Sequence, residues 1–166
     1  KKLEKAFEKG IAIRRADADT VISLLDTHAY FELLELPYPT TREAVLEKME
    51  NEHFIKKLAS SYSITNLGAI LFAKDINKFP TLSRKAVRVI VYKGKNRIQT
   101  EREQPGTKGY AVGFNGLVSW INDRLPANEE IGRAFRKDVR MYPEIAIREL
   151  VANALIHQDF KETGAG

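Results

Sequence analysis

The stretch TREAVLEKMENEHFIKKLASSYSITNLGAILF, residues Thr41 to Phe72, decides the fold. Thr40 or Thr41 can cap a helix that carries Val45, Leu46 and Met49, and Glu43 can support its first turn. Phe54 to Ile64 then alternates imperfectly around Ala59-Ser60-Ser61, which predicts two short strands joined by a turn. Thr65 or Asn66 can cap the following helix, which runs through Leu67, Ile70, Leu71 and Phe72. Gly68 inside that helix costs about 1 kcal/mol relative to Ala unless something packs closely against it. Helices that alternate with a hairpin of this kind predict an α+β fold: helices packed on a small mixed sheet. Helix, hairpin-like arm and helix is also the ending of many winged-helix DNA-binding domains. An ordinary α+β segment competes with that reading, because Lys56 and Lys57 are the arm's only basic residues.

Upstream, residues 1–9 form a short, charged amphipathic helical pattern, and Gly10 breaks it. Ile11 to Arg14 alternates like a brief strand. Asp17 or Asp19 can cap a helix containing Val21, Ile22, Leu24 and Leu25, and Pro37 to Thr41 reads as a loop. Downstream, Ala86 to Tyr92 is a β-branched run expected to be a central or half-buried strand. Lys93, Lys95 and Arg97 lie on the turn that follows, and Ile98 to Thr100 can return as a partner strand. Gly106, Gly109, Gly113 and Gly116 lack the spacing of a phosphate loop and mostly precede a helix carrying Phe114, Leu117, Val118, Ile121 and Leu125. Trp120 falls within that amphipathic pattern and reads as a packing residue.

The last helical pattern starts at Pro143, whose ring suits a first helical position, and Glu144 suits the positive end of the helix dipole. Glu149, Asn153 and His157 recur every fourth residue and share one stripe, because successive helical residues turn by about 100°. Ile145, Ala152 and Ile156 flank the stripe on one side, Leu150 and Ala154 on the other. Apolar flanks predict a buried or cleft-facing trio, in which a carboxylate needs a partner, a metal or a shifted pKa. Packing is expected to fall on Leu150, Val151, Ala154 and Leu155. The helix is expected to lie against the 86–92 strand.

This motif, RELVANALIHQDF with Glu149, Asn153, Ala154, His157 and Asp159 at its fixed positions, resembles one in bacterial RecG-related ATP-dependent DNA helicases or transcriptional regulators. Ile64 to Lys74 (ITNLGAILFAK) resembles a second segment of the same family. Such proteins join an AlbA/Schlafen-like nucleic-acid-binding domain to a degenerate ATPase region similar to the gyrase, Hsp90, histidine-kinase and MutL superfamily. The resemblance implies Glu149 as the catalytic residue that positions or activates water, and Asn153 as the Mg²⁺ ligand. It groups His157 and Asp159 with Asn153 on the cofactor side without assigning either a chemical step. Mg-ATP is the implied cofactor of the intact parent, and DNA a partner reached through the full-length protein. No RecG helicase motor is implied.

Composition sets outer bounds. The 166 residues carry a net charge of +5, which permits nucleic-acid contact without requiring it. Lys56, Lys57, Lys93, Lys95 and Arg97 are the candidate phosphate contacts. The absence of cysteine excludes disulfides and thiolate chemistry and fits a cytoplasmic setting. No apolar run approaches the roughly 18 residues that span a membrane. His28 and His53 lack partners at metal-ligand spacing. Residues 1–14 read as a linker or helical arm, 15–80 as a helical and hairpin segment, and 81–166 as an α/β segment ending in the ATPase-like motif. A start without Met and a stop soon after the motif suggest a piece of a longer protein. The glycine boxes a nucleotide site requires are not in this chain, so the piece alone is expected to be inactive and to bind no cofactor. The alternative is a non-enzymatic DNA-binding or scaffold module with a vestigial ATPase motif.

Overall fold

The computed structural model describes residues 6–92, 100–125, 127–131, 136–140 and 142–157. These residues form an α+β fold that divides into two compact units, the first running to Gly113 and the second beginning at Phe114.

In the first unit a 3-10 turn, Phe7–Lys9, leads into β1 (Ile11–Ala16). Helices α1 (Ala18–Leu24), α2 (Thr27–Leu33) and α3 (Arg42–Asn51) follow, then the hairpin β2 (Ile55–Leu58) and β3 (Ser61–Thr65), then α4 (Asn66–Phe72). The sheet order is β1-β3-β2, antiparallel throughout, with Ile55 opposite Ile64 and Leu58 opposite Ser61. A bulge interrupts β1 between Ile13 and Ala16, where Arg15 takes a φ of 56°.

Helices α1 to α4 each start with a side-chain cap that satisfies an otherwise unpaired amide. Asp17 accepts from Thr20 N at 2.7 Å and Asp26 from Ala29 N at 3.0 Å. Thr41 accepts from Ala44 N at 3.3 Å and Thr65 from Gly68 N at 3.1 Å. The helix capped by Asp17 ends at Leu24, and α2, capped by Asp26, follows as a separate helix. Leu25 is extended and pairs with Ala73, drawing Asp26 N to Phe72 O and Lys74 N to Leu24 O. Val21, Leu25, Val45, Leu46, Met49, Ile55, Ile64, Ala69 and Phe72 close the core, with Tyr30, Phe54 and Phe72 meeting edge to face or tilted.

β4 (Arg88–Tyr92) pairs antiparallel with β5 (Thr100–Pro105) in a two-stranded ribbon. The 86–92 run, expected to be central or half-buried, is a half-buried ribbon strand, and the described sheets are antiparallel where a mixed one was expected. Each described strand meets its partner through a hairpin or an antiparallel return, so no parallel pairing arises. The turn residues Lys93, Lys95, Arg97 and Ile98 lie outside the described residues. Gly109 sits where a β-carbon would fall 2.5 Å from Leu71 O, and its amide donates to Ala73 O at 2.8 Å. Gly106 N donates to Val87 O. These two amides are already used by backbone carbonyls, which leaves them unable to cradle phosphate.

α5 (Tyr110–Asn122) begins in the first unit, and its length from Phe114 belongs to the second. There Val118 forms a small core with Ile147 and Val151 of α6 (Glu144–Ile156), joined by Phe114, Leu117, Ile121, Leu125 and Leu155. Between the helices β6 (Ala127–Ile131) pairs with β7 (Arg136–Arg140), Ala127 opposite Arg140. Pro143 stands at the N-cap of α6, one position before the one read from the sequence. The buried residues of α6 pack on α5 within the second unit.

Candidate functional site

α6 owes its helical form to the run from Glu144 to Ile156, which has no Gly or Pro and an acidic residue in its first turn. Its buried face is Ile147, Val151 and, partly, Leu155, spaced four apart. Glu149, Asn153 and His157 are also spaced four apart and lie on roughly the opposite side, since about 100° per residue separates the two sets by half a turn of the helix. All three are exposed, which corrects the expectation of a buried trio. Leu150 (67% exposed), Ile145 and Ile156 are exposed beside them. The apolar flanks of the stripe are thus surface, and Leu150 and Ala154 do not carry the packing assigned to them. The helix has two apolar sides, and only the one that meets Val118 is covered.

The structure brings Glu149, Asn153 and His157 together on one helical face. His157 forms the C-cap, its amide donating to Asn153 O at 3.0 Å. Asp159 lies outside the described residues. The carboxylate of Glu149 and the carboxamide of Asn153 make no hydrogen bond or ion pair with the described residues. Next to the stripe, Arg148 sits 5.1 Å over the Phe114 ring, on the covered side. Arg124 lies 3.7 Å over the Trp120 ring and donates to Trp120 O, so one face of Trp120 is occupied by a cation.

The basic arm is a short hairpin. Lys56 and Lys57 are exposed on β2, with Lys57 N donating to Glu50 Oε1 at 3.2 Å. The helix before it, α3, presents Glu43, Glu47 and Glu50 beside Arg42 and Lys48, and Arg42 is paired with Asp19 at 2.8 Å. Lys93, Lys95 and Arg97 fall outside the described residues. The arm's described cations therefore stand next to a mostly acidic helix.

One polar network was not read from the sequence. Tyr30 Oη donates to Glu52 Oε1 at 2.9 Å, and Lys48 Nζ lies 3.3 Å from the same oxygen. The Tyr30 hydroxyl, then Lys48, hold the Glu52 carboxyl below its usual range, while burial and then Glu52 push the Tyr30 hydroxyl up. The i, i+4 spacing of Lys48 and Glu52 was the only available signal. An open cleft of about 570 Å³ lies between Ser83–Arg84 and the β4–β5 ribbon, with Arg88 and Glu103 paired across its wall at 3.3 Å. None of the sequence-derived site residues lines it. Among the described residues no cluster of His, Asp or Glu has the make-up of a metal cage, and no helix is long and apolar enough to cross a membrane.

The chain matches no protein-family model and no curated protein. Its structure is similar to that of the DIP2311 protein from Corynebacterium diphtheriae, at a TM-score of 0.58 and 17% sequence identity over 96% of this chain. At that identity the likeness is one of fold. This chain spans about 30% of the length of that protein.

Proposed function

We propose that this chain is the part of a longer RecG-related protein that joins a nucleic-acid-binding module to a Mg-ATP-binding region, with α6 as the nucleotide-facing helix. The observation that carries the reading is the exposed stripe Glu149, Asn153 and His157, opposite the face that α6 buries. What is unusual for a solvated helix face is the apolar setting of the trio, with Ile145, Leu150 and Ile156 exposed beside it. The motif's resemblance to the ATPase family supplies the chemistry.

Asn153 suits Mg²⁺ in kind: its carboxamide oxygen is a hard donor, exposed and uncommitted among the described residues. One protein oxygen is an ordinary contribution to an ion that takes most of its shell from phosphate and water. Bound Mg²⁺ would neutralise phosphate charge. Glu149, one turn earlier, would orient or deprotonate water on this reading. His157 and Asp159 continue the motif on the cofactor side.

The test is calorimetry and phosphate release on the longer parent. Mg-ATP should bind; Glu149→Gln should abolish hydrolysis and keep binding, and Asn153→Ala should weaken both. Full hydrolysis by Glu149→Gln would sink the assignment. The 166-residue chain alone should neither bind Mg-ATP tightly nor turn it over.

A second reading is a non-enzymatic scaffold of winged-helix type. The order β1-β3-β2, with α3 immediately before the β2–β3 hairpin, favours it. The acidic surface of α3 argues against that helix reading base edges, where contacts to phosphates on either side are made by cations. DNA contact, if made by Lys56, Lys57 and the cations of the 93–97 turn, would then be electrostatic.

A further inference from the structure

We propose that the end of α2 and the loop behind it, Leu33 to Tyr38, form a docking surface for a partner protein's amphipathic helix whose apolar stripe is flanked by Lys and Arg. Leu33 and Leu34 are each 53% exposed, Leu36 is 41% exposed and Tyr38 37%. Four large apolar side chains within six residues, all partly in water, make a concentrated patch of the kind that marks interaction sites.

The patch is pre-shaped. Glu35 takes a φ of 54°, its amide donates to Glu32 O at 3.1 Å, and Leu36 N donates to Phe31 O at 2.8 Å, which closes α2 in a Schellman turn. The chain then runs back along the helix. The Tyr38 ring stacks on His28 at 3.7 Å and meets Phe31 at 5.2 Å, and its hydroxyl is 2.9 Å from Thr27 Oγ1. Pro37 and Pro39 restrict the backbone on either side of Tyr38. A surface already ordered in this way costs little entropy to engage.

Charge selects the occupant. From Ala16 to Thr41 the chain contains no Lys or Arg, although its net charge is +5. Glu32 and Glu35 alternate with the exposed leucines, and neither has a cation at ion-pair distance among the described residues. Nucleic acid and anionic lipid would be repelled. A helix with an apolar stripe and a basic rim would satisfy leucines and carboxylates together.

The probe is a labelled Leu/Lys peptide with leucines at helical i, i+3, i+4 and i+7 spacing, read by fluorescence anisotropy against the 166-residue chain. Its partner probe has Glu in place of Lys. The Leu/Lys peptide should bind, weaken as salt rises, and lose about tenfold in affinity, roughly 1.4 kcal/mol, on the double variant Leu34→Ser, Leu36→Ser. The Leu/Glu peptide should bind at least about tenfold more weakly. Equal affinity of variant and parent, or no preference for Lys over Glu, overturns the proposal. So does self-association of the parent that the double variant abolishes, which would assign the patch to a second copy. NMR shift perturbation on the unsubstituted chain guards against a misfolded variant: changes should centre on residues 31–38, and changes centred elsewhere refute the site.

Discussion

Gly68 stands directly against the carbonyl of Phe54: a β-carbon on Gly68 would lie 2.3 Å from that oxygen. The same carbonyl accepts from Thr65 N and from Thr65 Oγ1, both at 3.0 Å, while Thr65 Oγ1 accepts from Gly68 N. The first turn of α4 is thereby clamped to the chain leaving α3. In an open helix Gly68→Ala would gain about 1 kcal/mol from propensity. Here the added methyl meets backbone, so the substitution should cost about 1–3 kcal/mol net. Urea denaturation decides it, and unchanged stability would mean the Phe54 carbonyl yields freely.

His53 closes α3 as Glu35 closes α2. It has a φ of 62°, its amide donates to Glu50 O at 2.9 Å, and Phe54 N reaches Met49 O at 3.0 Å. Left-handed backbone strains any side chain by about 1–2 kcal/mol, whereas Gly adopts it freely. His53→Gly should therefore be more stable than His53→Ala by about 1 kcal/mol, even though Gly loses more entropy on folding. Thermal melts of the pair supply the comparison. The reverse order would show that the turn relaxes once the imidazole is gone.

The parts legible in the sequence are those set by neighbours along the chain. Asp17, Thr41 and Thr65 announce helix starts because a cap and its amide lie three residues apart. The 55–65 hairpin shows in its alternation, and Gly68 as a helical glycine in want of a close neighbour. Features set by remote contacts were not legible. The break at Leu25 depends on Ala73, far along the chain. The β6–β7 hairpin carries Glu129 opposite Asp138 and Glu130 opposite Lys137, a charged pattern without an apolar alternation. In α6 two apolar stripes competed, and only Val118 reveals which one is covered. The candidate trio was found as a set, but its exposure was not.

Stability should respond to acid through Glu52. Its carboxyl is lowered first by the Tyr30 hydroxyl and next by Lys48, so the charged form is favoured in the folded chain. That contribution is fully present above the ordinary Glu value of about 4.3 and is lost as pH falls through the lowered one. Tyr30 has the opposite sense: raised by burial and then by Glu52, it contributes below about pH 10 and loses that contribution as pH rises through its raised value. Glu52→Gln should flatten the acid limb of a stability–pH profile. Tyr30→Phe should reduce it as well, because the largest cause of the Glu52 shift is removed. An acid limb unchanged in both variants would place the acid sensitivity elsewhere.

The two faces of α6 should separate in mutational cost. Ile147 is 8% exposed in the cluster with Val118 and Val151, so Ile147→Ala removes buried carbon and should destabilise by about 2–5 kcal/mol. Leu150 is 67% exposed, and Leu150→Ala should stay within about 0.5 kcal/mol of the parent. Asn153→Ala should be equally mild: its side chain is exposed, and its loss strands no buried partner among the described residues. Since the second unit has its own core, the loss is best read by a local probe, such as amide exchange along 144–156. Ile147→Ala should speed exchange throughout the helix, with little change in the other two variants. A severe loss at Asn153 would make it a structural group and remove the free carboxamide on which the nucleotide-facing assignment rests. A mild loss there, with a severe one at Ile147, leaves the helix held by one face and its polar stripe free to meet a ligand.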